Sequence, residues 1–327
     1  MNGKIQLKSL DKKMFSLRTV LFLFCIFSSP FSRSEEPLSG GQGQGEYKTI
    51  EESFLETNAS ISEWFVDMAD GLDMFLAGQR YTKKTNKTSV TIEFEGAYTR
   101  FDNTSSGVNF NGNLRLPNVE EYWLLTFTSY DDAEERGARQ KYLRQNRRTT
   151  NYGASLGLIK KMGEVKTSFR PRITFEGTPA ISHSLKFESI ADMRTYKVNP
   201  ELELYATPSK GAGIFHSLNF NWILTKIWSL TWVNEGDYQS RPHLYTVTQG
   251  LSLGQQFNPR MALGYNMFIT SINQPNYQLD GYNFSLSWHH ILYKDMLDYK
   301  LIPNIDFSQA YGFVVNPGVN MVIGLHF

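Results

Sequence analysis

A chain of 327 residues with a formal net charge of +1, of which 20% are charged, 41% hydrophobic and 14% aromatic, is long enough for one or two domains. Its mean hydropathy of −0.37 and the lack of a long apolar run after the N-terminus exclude a bundle of membrane-spanning helices, each of which needs about 20 mostly apolar residues. The near-neutral charge gives no sign of a nucleic-acid partner.

Lys8, Lys12, Lys13 and Arg18 precede the apolar run from Val20 to Phe27, and the small Ser32 and Ser34 follow at the spacing of a secretory cleavage site. Residues 1–34 therefore read as a signal peptide. The run is about half the length of a bilayer span, which argues against an anchor. Phe24 before Cys25 argues against lipidation, because a lipoprotein signal places a small residue there. Cys25 is the sole cysteine, so cleavage leaves no disulfide and no thiolate metal site. Six basic residues and one acidic residue leave with the segment, taking the net charge from +1 to −4. Residues 35–48 are rich in Gly, Gln and Ser and read as a flexible leader.

Residues 49–79 show helical periodicity. Trp64, Phe65, Met68, Leu72, Phe75 and Leu76 fall on one face, and Gly78 is a suitable stop. The same segment holds Glu51, Glu52, Glu56, Glu63, Asp67, Asp70 and Asp73, with no Lys or Arg from Thr49 to Gln79. That acidity argues against docking on an anionic membrane surface. The apolar stripe is expected to plug a lumen, cover its periplasmic mouth or dock a periplasmic protein.

From Thr88 onward the period becomes two. Val90, Ile92, Phe94 and Tyr98 alternate with polar residues, as do Tyr282, Phe284, Leu286 and Trp288. Fourteen such segments fit into residues 88–327, with twelve as the alternative, at about 17 residues per strand and turn. The polar faces are rich in Asn, Ser, Thr and Gly rather than the Lys and Glu of a water-facing sandwich, and Tyr and Trp gather near strand ends. The expected fold class is all-β: a transmembrane antiparallel up-and-down β-barrel of about fourteen strands preceded by a short amphipathic helix. Closure follows because an open edge in hydrocarbon leaves backbone groups unpaired at several kcal/mol each. Turns are expected near Pro117 to Glu120, Met162 to Glu164, Asn258 to Pro259 and Lys294 to Leu297, and at Thr225 and Lys226.

At the C-terminus Val319, Met321, Ile323, Leu325 and Phe327 place an apolar residue at every second position. This pattern resembles the terminal strand signal of Gram-negative outer-membrane β-barrels. The resemblance covers architecture only and points to no functionally characterised family. It implies an outer-membrane location and an assembly signal formed by Phe327, Leu325 and Ile323. Outer-membrane lipid and the barrel-assembly machinery are the partners it implies. An even strand count puts both termini in the periplasm.

In residues 165–176, Lys166, Ser168, Arg170, Arg172, Thr174 and Glu176 alternate with apolar residues and are assigned to the lumen, since a charge on the lipid face at mid-bilayer costs about 2 to 4 kcal/mol. Glu93, Glu95, Glu188, Glu201 and Glu203 join them as lumen carboxylates. Lys166, Arg170, Arg172 and these five glutamates form either an internal ion-pair network or a charged constriction that sorts solutes. Arg136, Arg139, Lys141, Arg144, Arg147 and Arg148 lie in the long connection from Asp131 to Thr149 and are expected to form a solvated extracellular basic loop, with lipopolysaccharide as the alternative partner for its guanidinium groups. An inward fold of this loop is the minor alternative.

A strand-borne hydrolytic dyad needs His and Ser at i and i+2. His183 with Ser184 and His216 with Ser217 fail this test. Ser287 and His289 pass, but no acid follows along their face. No catalytic residue, metal site or cofactor is expected. The expected function is a channel or plug-regulated pore for small polar solutes. A non-transporting barrel that anchors a periplasmic complex is the alternative, followed by a lipid hydrolase.

Overall fold

The computed structural model describes residues 50–77, 88–115, 123–131, 136–138, 151–175 and 179–327. The signal peptide and leader, the turn at Pro117 to Glu120, Glu176 and most of the basic loop lie outside the described residues. One helix, α1 (Ile50–Ala77), precedes fourteen strands. These are β1 (Ser89–Thr99), β2 (Asn103–Arg115), β3 (Trp123–Thr128), β4 (Gly153–Met162), β5 (Val165–Thr174), β6 (Ala180–Ser189) and β7 (Tyr196–Thr207). They continue as β8 (Gly211–Ile223), β9 (Trp228–Gln239), β10 (Leu244–Asn258), β11 (Met261–Ile272), β12 (Gln278–Tyr293), β13 (Leu297–Ser308) and β14 (Asn316–His326). A two-residue extension, Ala191–Asp192, pairs with the start of β7.

Each strand pairs antiparallel with its neighbours in sequence, and β1 pairs with β14 from Thr91↔His326 to Thr99↔Gly318, which closes the sheet. Beyond that register the backbone of Phe327 both accepts from and donates to Val90, at 3.0 and 2.8 Å. No described helix is long and apolar enough to cross a membrane.

Alternation decides which side chains face inward. On β5, Phe169 and Ile173 are exposed on the outside while Ser168, Arg172 and Thr174 are buried inside. On β12, Asn283 and Ser285 are buried inside and Phe284 and Leu286 are exposed outside. The outward residues form the apolar band, so the inward residues carry the polar chemistry.

Among the described residues, turns at the rim that holds Ser89 and Phe327, the terminal rim, are short. They include Met162 to Glu164, where Gly163 takes a φ of +63°, and residues 224–227 between β8 and β9. At the opposite, far rim the connection after β3 departs from this rule. Among the described residues the β2–β3 register runs over Asn111–Arg115, the Ser129 backbone still joins Phe110 and Asn151, and Ser129, Tyr130 and Asp131 are all buried.

Of the three placements expected for the helix, the structure does not show the plug. Its Phe65 ring lies 6.4 Å from Phe110, which sits between the inward Asn109 and Asn111 and so faces out. Within that neighbourhood the outward Val90 and Leu114 are buried, whereas Val108 further along β2 is exposed. Thus α1 covers the outside of β1 and β2. The stripe read from sequence also turns: Trp64 and Met68 are exposed, while Asn58 and Ala69 are buried.

Candidate pore constriction

The charges of the lumen are concentrated on β5 to β9, where the loop after β3 enters. Arg172 on β5 secures both of its feet. Its guanidinium donates to Thr128 Oγ1 and, at 2.5 Å, to the Asn151 carbonyl, and it lies 3.9 Å from Asp131. Gly153 makes room for it, because a Cβ there would stand 2.7 Å from both the guanidinium carbon and the Ile173 carbonyl oxygen.

Deeper in the loop, Arg136 meets Glu203 on β7 through two parallel hydrogen bonds of 3.0 Å, with both side chains almost wholly buried. Its guanidinium also lies 3.5 Å above the Tyr205 ring. That ring lies flat over Gly213 of β8, where no side chain would fit, and its hydroxyl donates to Asp237 of β9 at 2.6 Å. The next loop residues continue the anchorage. Gly137 adopts a φ of +90°, a conformation that favours glycine, and the Ala138 amide donates to Glu235 of β9 at 2.6 Å. Ala138 packs with Val233 and Phe268, which point inward from β9 and β11.

Arg136 was expected among the extracellular basic residues, and the structure corrects this: it is an internal residue. Its partner lies 67 positions away in sequence, so a local reading of charge has no access to the pair. Arg139, Lys141, Arg144, Arg147 and Arg148 lie outside the described residues.

The other predicted residues divide by height. Lys166 is a half-exposed rim residue 2.6 Å from Glu188. Glu188 and Glu201, directly opposite in register, share Lys186 at 3.0 Å each. Arg170 faces inward opposite Ser184. Glu93 and Glu95 stand apart from this cluster, on the inner face of β1 opposite Asn109 and Gly107. Sequence reasoning passed over Lys186, Tyr205, Glu235 and Asp237. Lys186 shares a strand face with Ser184 and Glu188, and Tyr205 with Glu203, so the two-residue period alone was enough to assign both to the lumen.

The wall formed by β10 to β14 differs in character. Ser252 donates to Asn266, which in turn donates towards Ser285 and Ser287; Asn304, opposite Ser285 in register on β13, and Asn320 on β14 are also buried. A recess of about 350 Å³ near the terminal rim is lined by Thr231, Ser252, Gln256, Ser287 and His289 among others. The acid missing from the His289 face in sequence is supplied across the hairpin: Asp298 lies 2.8 Å from His289 Nε2 and 2.7 Å from His326 Nε2. Ser287 instead accepts from Asn266 at 3.4 Å.

A closed sheet with Asn, Ser, Thr and paired charges inside, and Phe, Leu, Ile, Val and Met exposed around the outside, fits only a low-dielectric surround. The chain is a transmembrane β-barrel. No family model and no curated protein matches it. Among solved structures the barrel is similar to the outer membrane channel DcaP of Acinetobacter baumannii, with a TM-score of 0.46 and 6% identity over 76% of this chain and 99% of that one. It is also similar to OmpT, an outer membrane protein of Vibrio cholerae, with a TM-score of 0.43 and 6% identity over 76% and 99% of the two chains. OccK5 (OpdH) of Pseudomonas aeruginosa gives 0.42 and 7% over 74% and 98%. At these values the likeness is one of barrel architecture.

Proposed function

We propose that the barrel is an outer-membrane diffusion pore for small polar solutes, with both termini periplasmic and with its bore set by the loop after β3. The observation that carries this reading is the anchorage of Arg136 and Ala138 to Glu203 and Glu235. Arg136 to Ala138, held by a buried bidentate pair and an amide–carboxylate bond, are a fixed part of the lumen. Fourteen strands enclose more space than the eight whose interior side chains fill it, which leaves a passage for such a loop to narrow. The helix has no part in the narrowing, because it lies outside the wall. Constriction by the loop therefore replaces plugging by the helix as the regulating element.

The decisive experiment is single-channel recording of the purified full-length chain in planar bilayers. Steady, ohmic openings with a small unit conductance are expected. Silence across the voltage range would overturn the pore reading and leave a non-conducting barrel.

A further inference from the structure

The course of α1 can be traced from three contacts. Phe54 packs edge-on against Tyr293 at the end of β12, with 6.1 Å between ring centroids. Asn58 donates to the His326 carbonyl of β14 at 2.9 Å, and Phe65 approaches Phe110 of β2. In the sheet the order runs β12, β13, β14, β1, β2, so the helix crosses successive strands instead of following one. Tyr293, His326 and the buried Val90 all belong to the terminal rim, which places this crossing near the edge of the apolar band.

At 3.6 residues per turn, three faces of α1 meet three surroundings. Phe54, Asn58, Phe65 and Ala69 lie on the side that meets the wall. Glu56, Glu63 and Asp67 are exposed on the opposite side. Trp64, at 59% exposure, and Met68, at 39%, lie roughly a quarter of a turn round from the wall-facing side, on one flank.

We propose that α1 is an interfacial belt, seated where hydrocarbon gives way to water, with Trp64 and Met68 inserted among the lipids around the barrel. The occupant follows from continuity: the flank extends the apolar outer wall on which the helix already lies, and that wall is covered by lipid. Tryptophan favours this level of a membrane because its ring is apolar and its N–H finds polar partners. The acidity that excludes a free helix from an anionic surface carries no weight once the helix is fastened to the wall, since insertion then needs no electrostatic attraction, Glu56, Glu63 and Asp67 are exposed away from the wall, and Asp73 is buried. The proposal rests on the membrane-spanning fold and is independent of whether the lumen conducts.

The test uses the full chain with Cys25→Ser and one added cysteine at a time: Trp64→Cys, Met68→Cys, Glu63→Cys or Asp67→Cys. Each variant is nitroxide-labelled, checked for heat-modifiable migration as proof of folding, and placed in phosphatidylcholine nanodiscs. In power-saturation measurements, labels at 64 and 68 are expected to collide several-fold more with oxygen than with a water-soluble nickel chelate, and labels at 63 and 67 to show the reverse. Preference for nickel at all four positions would overturn the proposal by placing the helix in water. Shielding of 64 and 68 from both reagents would overturn it by showing a protein, either a second copy or a partner, on that flank. Should a label prevent folding, quenching of the unlabelled chain by brominated phosphatidylcholine decides: it must fall in Trp64→Phe, and unchanged quenching refutes the belt.

Discussion

Arg136 and Glu203 meet side by side inside the barrel, Nε to Oε2 and Nη2 to Oε1, each at 3.0 Å. Removing one partner of such a buried pair costs about 3 to 5 kcal/mol, because the other charge remains in place without compensation. Arg136→Ala should therefore free the loop, enlarge the unit conductance and lower the temperature at which the folded form is lost on gels. Exchanging the charges, with Arg136→Glu and Glu203→Arg together, should recover both properties. An Arg136→Ala channel with unchanged conductance would show that the loop lies outside the ion path.

Gly213 offers a route to the same element without touching a charge. A Cβ there would fall 2.1 to 2.5 Å from atoms of the Tyr205 ring, so Gly213→Ala must tilt the platform beneath Arg136. A desolvated cation–π contact is worth about 2 kcal/mol, and the loss should appear as a smaller conductance rise that does not add to that of Arg136→Ala. Gly107→Ala, where nothing lies within 4 Å of the new methyl, is the control expected to be silent. Full additivity in the double variant would separate Tyr205 from the loop.

Lys186 holds two carboxylates that face each other across β6 and β7. Lys186→Met should leave Glu188 held by Lys166 alone and Glu201 without the Lys186 ammonium, and move the reversal potential in a salt gradient toward cation selectivity. Lys166→Met, at the half-exposed rim, should move it far less, since exposed pairs contribute about 0 to 1 kcal/mol. Equal shifts in the two variants would mean that Lys186 does not face the conducting path.

Deleting Phe327 removes the two backbone bonds to Val90 that extend the β1–β14 seam. The amount of heat-modifiable barrel in the membrane should fall while export continues. An unchanged folded fraction would refute both the seam contribution and the assembly-signal reading of Phe327.

The strands were legible because each carries its own evidence. Tyr282, Phe284, Leu286 and Trp288 alternate with Asn283, Ser285 and Ser287, and a two-residue period needs no knowledge of the partner. The inward loop was illegible for the opposite reason: a run rich in Arg looks solvated until Glu203 and Glu235, carried by distant strands, are placed beside it. Likewise, Asp298 reaches His289 only through the register of the β12–β13 hairpin, in which His289 opposes Lys300. The helix misled because Phe65 and Trp64 are adjacent in sequence and equally apolar. Which of them meets the wall depends on the outer surface of β1 and β2, which the helix sequence does not contain.

The bond between Val90 and Phe327 has a kinetic meaning. Thirteen of the fourteen strand pairings join neighbours in the chain, so they can zip locally with little loop-closure entropy, whereas the last joins the first strand to the final residue. Folding is thus a series of short-range steps followed by one ring closure, and until that step β1 and β14 are both bare edges open to another chain.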